Sequence, residues 1–107
     1  MGAGMRPVPC ATDILRPVLW EDIRSLARAL LAHPAQRRGA LCQEILKGAA
    51  RARVYAAATG RCHPRWGDGS VDRAARRFPL APEPFPGAPD YAGCLQMALA
   101  AAQHRKP

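Results

Sequence analysis

The sequence predicts a small all-α domain, and three observations carry that expectation. Apolar residues make up 49% of its 107 positions but aromatics only 6%, so the core must be built from alanine and other small side chains, which favour helices in close contact over sheets. Within the longer segments apolar residues recur at spacings of three and four, the helical period. The eleven prolines and nine glycines concentrate between those segments, where they act as punctuation. The length suits one core. Residues 17–107 are read as a single helical domain, and residues 1–16, without a sustained period, as a flexible N-terminal arm.

The first helix follows Pro17, with Glu21 and Asp22 near the positive end of its dipole. Leu19, Ile23, Leu26, Ala27, Leu30 and Leu31 form one apolar stripe, with Arg24 and Arg28 outside it. "HPAQ" ends that helix, because Pro34 cannot continue it but suits the first turn of the next. The second helix is expected from about Pro34 to Thr59. Leu41, Ile45, Ala49, Ala52 and Tyr55 or Ala56 face inward, and Gly60 lies beyond the end as a C-cap. The short break predicts an antiparallel helix hairpin, its axes brought close by Gly48 and neighbouring alanines.

"RCHPRWGDGS", residues 61–70, is the densest stretch of reactive groups. Pro64 pushes His63 towards an extended conformation, two glycines allow a sharp turn, Trp66 plugs the turn onto the helices, and Asp68 or Ser70 caps a short third helix. On that helix Val71, Ala74, Ala75 and Phe78 share one face, with Arg73, Arg76 and Arg77 off it. "PLAPEPFPGAP" cannot be a regular helix or central strand, so a Pro-rich extended strap is expected, pinned to the body by Leu80 and Phe85. The C-terminal helix begins near Asp90 as N-cap and turns Tyr91, Cys94, Leu95, Ala98, Leu99 and Ala102 inward. His104, Arg105 and Lys106 suit its negative end.

No apolar run approaches the roughly 18 residues a membrane span needs, and no export signal precedes the body. The chain is therefore expected to be cytoplasmic, without a membrane partner. Met-Gly at the start does not make a myristoylation signal, because Arg6 stands where Ser or Thr is wanted. Without export, Cys10, Cys42, Cys62 and Cys94 are expected as reduced thiols, Cys62 the most reactive among its cationic neighbours. Their gaps of 32, 20 and 32 residues contain no paired chelate, so no metal or other cofactor is expected. A catalytic Cys62 would need an oriented base and an oxyanion pocket, and no pattern for either is recognisable; the expectation is a protein that is not an enzyme.

Charge is the strongest functional signal. Sixteen Lys and Arg against eight Asp and Glu give +8. From Arg24 to Arg77 twelve bases meet three acids, while the remainder nets −1. Such asymmetry points to a polyanionic partner, although GC-rich coding would also enrich arginine and alanine together. The residues expected to meet nucleic acid are Arg37, Lys47, Arg51 and Arg53 on the second helix, Arg61 and Arg65 in the turn, and Arg73, Arg76 and Arg77 beyond it. About ten residues separate the second and third helices, too many for a helix-turn-helix, so contact should be sequence-nonspecific. The other reading is a protein–protein adaptor in which the strap, through Leu80 and Phe85, docks a partner. An alanine-rich helix face also leaves homo-oligomerisation open.

"RPVLWEDI", "HPRWGDGS" and "PEPFPGAPDYAGCLQMAL" together resemble small proteins of high-GC alphaproteobacteria, some associated with phage-like gene transfer agents. The resemblance spans about residues 16–100. It implies an accessory to DNA packaging similar to a small terminase subunit, with a larger motor or assembly subunit as protein partner. It assigns no binding or catalytic residue.

Overall fold

Four helices and no strand make up the described part of the computed structural model, residues 17–103: α1 Trp20–Leu31, α2 Ala35–Thr59, α3 Val71–Ala75 and α4 Pro89–Gln103. The expected arm at 1–16 and the cations at 104–106 lie outside those residues. The small all-α architecture follows the apolar spacing in each segment. Ile23, Leu26, Ala27 and Leu30 of α1 are buried with Leu41, Cys42, Ile45, Ala49 and Ala52 of α2, Val71, Ala74 and Ala75 of α3, and Tyr91, Cys94, Leu95 and Ala98 of α4. Six of these sixteen core positions being alanine, the helices approach closely and burial is shared over many small contacts. Helix α1 is central, packing more extensively against α4 and α3 than against its neighbour in sequence, α2.

Polar groups fix the joints. Asp22 accepts from the Leu19 backbone N–H at 2.7 Å, which starts α1, and from the Asp72 N–H at 2.9 Å, which ties α1 to the first turn of α3. The Ser25 hydroxyl donates to Asp72 beside it. At the other end of α1, Arg38 donates to the carbonyls of Leu30 and His33 at 2.8 Å and to the Asp90 carboxylate at 2.8 Å. One side chain thus satisfies orphan carbonyls of α1 and bridges to α4. Gly60 ends α2 in the left-handed conformation, φ 73°, with its N–H on the Ala56 carbonyl.

Three expectations need correction. Helix α4 starts at Pro89, so Asp90 lies in its first turn rather than at the N-cap, where its carboxylate serves Arg38 instead. Leu99 faces solvent because the α4 stripe that packs is narrower than the apolar sequence around it. Gly48 does bring two elements close, but its partner is the Trp66 indole rather than α1.

The strap at 79–88 is bound to α1 by matching polar groups. Arg24 forks onto Glu83 at 3.1 and 2.5 Å, Arg28 donates to the Ala81 carbonyl at 2.8 Å, and the Ala81 N–H returns to the Arg28 carbonyl at 3.1 Å. The Tyr91 hydroxyl of α4 reaches Glu83 at 2.8 Å. Proline removes donors from this segment, so the carbonyls and the one carboxylate do most of the binding.

Candidate nucleic-acid interface

A short turn builds the site. His63 and Gly67 exchange backbone hydrogen bonds at 2.8 and 3.0 Å, closing the five residues His63–Gly67 into a loop. The His63 Nδ1 accepts the N–H groups of Arg65 at 3.0 Å and Trp66 at 3.2 Å, which places the imidazole proton on Nε2. So held, the loop drives Trp66 into the body, 5% exposed, and stacks the Arg65 guanidinium over the indole, 5.1 Å from its centroid. Gly69, at φ 94°, backs onto Arg53, where any Cβ would collide with its stem. Asp68 then accepts from the Ser70 N–H at 2.9 Å, and Ser70 caps α3 by accepting from the Arg73 N–H at 3.1 Å.

Two cationic grooves open on either side of this turn. The first, about 670 Å³, runs along the outer face of α2 and is lined by Gln43, Glu44, Lys47, Arg51, His63, Arg65 and Trp66 among others. The second, about 510 Å³, faces α3 and is lined by Cys62, His63, Pro64, Arg65, Gly67, Asp72, Arg73, Arg76 and Arg77. They share His63 and Arg65, so the turn is the ridge between them. Among the described residues, Lys47, Arg51, Arg65, Arg73 and Arg77 have no ion pair; Arg76 is paired with Asp72 at 3.0 Å. Five uncompensated cations on two joined concave surfaces form a field that attracts polyanions.

Six of the nine expected cations, Lys47, Arg51, Arg65, Arg73, Arg76 and Arg77, thus meet at these grooves. Arg37 lines a separate recess with His33, Leu41, Glu44 and Phe78. Arg61 is exposed but lines neither cationic groove. Arg53 is a correction: it is only 5% exposed and donates to the Gly69 carbonyl at 3.0 Å, so it supports the turn from behind. A helical arginine two residues from Arg51 points to the opposite side, towards the buried stripe.

In an apolar recess beside these grooves stands Tyr55, which the sequence offers as an alternative to Ala56 for the inward face; Ala56 is the buried one. Tyr55 is half-buried, and its ring meets His63 edge-on with centroids 5.0 Å apart. Its spacing from Arg51 was the available signal: i, i+4 on α2 puts Tyr55 in line with Arg51.

A family described as a domain of unknown function, DUF7742, matches residues 16–102. The chain belongs to this family. No curated protein and no solved structure matches it. The matched span of DUF7742 takes in both cationic grooves, the turn and the strap.

In this DUF7742 chain the thiols offer little reactivity. Cys42 and Cys94 are free and buried, and burial pushes both thiols up from their ordinary value. Cys62 is disulfide-bonded, which overturns the expectation of a reduced, reactive thiol there. Among the described residues no three His, Cys, Asp or Glu side chains stand close enough to share a metal ion. No helix of the described residues is long and apolar enough to cross a membrane.

The strap divides its two expected anchors. Leu80 packs against the core, but Phe85 is 74% exposed, so it does not pin the strap; Glu83 does. Arg24 and Tyr91 both donate to that carboxylate and hold it below the usual glutamate range.

Proposed function

We propose that this protein is a nonenzymatic accessory that contacts DNA weakly and without sequence preference through the joined grooves on α2, the His63–Gly67 turn and α3. The observation that carries this reading is the gathering of Lys47, Arg51, Arg65, Arg73 and Arg77 on contiguous concave surfaces without carboxylate partners among the described residues. Arginine forks match phosphate geometry, and counterion release supplies the affinity. Helix α3 has five residues, too few to read a major groove, which favours backbone contact over base recognition. The disulfide at Cys62 leaves that sulfur, next to His63 in the chain, without a free thiolate, which supports a role without a cysteine nucleophile.

The specific version is an accessory to phage-like DNA packaging that recruits a larger motor or assembly subunit, and that version rests on the resemblance in the three quoted segments. Titrating labelled DNA at about 50 and 200 mM salt tests the binding itself. Binding that weakens steeply with salt, and is lost in Arg51→Glu/Arg65→Glu/Arg73→Glu, is the expected result; salt-indifferent binding, or none at low salt, contradicts it.

One observation favours an adaptor instead. Phe85 stands exposed on a strap whose neighbours are fixed by Glu83 and Ala81, an arrangement suited to presenting an aromatic anchor to a protein partner. In that reading Phe85→Ser abolishes partner capture, and the triple arginine variant leaves it intact.

A further inference from the structure

We infer that the interface seats an unpaired base in an apolar recess beside the cationic groove, and so takes single-stranded nucleic acid in preference to duplex. This inference rests on the DNA-binding reading above and specifies its ligand. The recess, about 490 Å³, is lined by Ala50, Arg51, Val54, Tyr55 and His63. Four of those five are apolar or aromatic, and Val54 is 69% exposed, an apolar side chain on an otherwise charged helix face.

Its position identifies the occupant. Arg51 and His63 line both this recess and the cationic groove, so a phosphate held by Arg51 brings its own nucleoside to the recess. Duplex DNA keeps its base faces stacked and hidden, and only a strand with unstacked bases fills an apolar recess adjoining its phosphates. The walls are also preorganised. The Tyr55 and His63 rings meet at 66°, giving two aromatic surfaces at an angle. The imidazole is held by the Arg65 and Trp66 N–H groups on Nδ1, leaving the Nε2–H as a fixed donor. Trp66, the more obvious stacking residue, is buried against Gly48 and has Arg65 over its ring, so it offers no face to a base.

The test compares three labelled ligands of equal length on the intact protein at low salt: oligo(dT), an abasic strand with the same number of phosphates, and a duplex. Oligo(dT) is expected to bind about tenfold more tightly than the abasic strand, the scale of one base stacked on an aromatic side chain. Tyr55→Ala should erase that difference while leaving abasic binding unchanged, and Tyr55→Phe should keep it. Val54→Ser, at an exposed position, should narrow the difference without touching the fold. Equal affinity for oligo(dT) and the abasic strand overturns the inference but not the DNA-binding reading; it is also the result expected if the recess serves a protein side chain. Failure of all three ligands to bind overturns both.

Discussion

The indole of Trp66 occupies the space that a side chain at Gly48 would need: a Cβ built there falls inside the van der Waals envelope of the six-membered ring. This contact joins the middle of α2 to the turn that carries Arg65, so the position of the cationic ridge depends on a hydrogen atom at residue 48.

Gly48→Ala should therefore destabilise the protein by about 1–3 kcal/mol, because overpacking against a buried ring outweighs the gain in helix propensity. Gly39→Ala, also within α2 but with nothing within 4 Å of its Cβ, should stabilise by roughly 0.5–1 kcal/mol. Denaturant unfolding of the two variants measures the difference; equal effects would remove the close contact from the account.

Arg53 and Arg51, two residues apart, should separate stability from binding. Arg53→Met removes the bond to the Gly69 carbonyl and leaves a buried acceptor, at a cost of about 1–3 kcal/mol. Arg51→Met changes an exposed side chain and should alter stability by less than about 0.5 kcal/mol, yet weaken DNA binding. Thermal melts with parallel DNA titrations check both.

Much of this was legible in the sequence. The three-and-four spacing found most of the core faces of the four helices, though Leu19 and Leu99 are exposed, and the turn chemistry found Gly60 as C-cap, Ser70 as one of two candidate N-caps and Trp66 as plug, because each depends on residues close in the chain. What the sequence hid depends on distant partners. Arg53 and Arg51 read alike until Gly69 is placed behind one of them. Arg38 gave no signal as a cap for α1, since its role needs α4 to deliver Asp90. Phe85 read as an anchor because aromatics usually bury, whereas the strap is tied by Glu83 to Arg24 and Tyr91, a contact between residues up to 59 positions apart.

Acid should loosen the strap. Hydrogen bonds from Arg24, then Tyr91, lower the Glu83 carboxyl in the folded protein, and Arg38 lowers Asp90 likewise. A depressed carboxylate contributes stability that is present above its unfolded value and lost as pH falls through its folded value. The wild type should exceed Glu83→Gln in stability at neutral pH, and the difference should begin to shrink at about pH 4.3, the ordinary glutamate value, and be gone only below the depressed folded value. A difference that persists in acid would mean that Glu83 acts through packing rather than charge.

The sulfurs should resist modification in the native state. Cys42 and Cys94 are buried and should alkylate only on unfolding. Cys62 should stay protected until a reductant is added, because its sulfur is already bonded. Mass spectrometry of alkylated protein, with and without reductant, reads this directly, and rapid alkylation of Cys62 without reductant would contradict the disulfide.

The salt dependence of DNA binding tests the central claim most directly. Five uncompensated cations that each release counterions predict a slope of log K against log salt of about −3.5 for single strands, and Arg73→Gln should reduce its magnitude by about 0.7. A slope near zero, or one that Arg73→Gln leaves unchanged, would contradict the account.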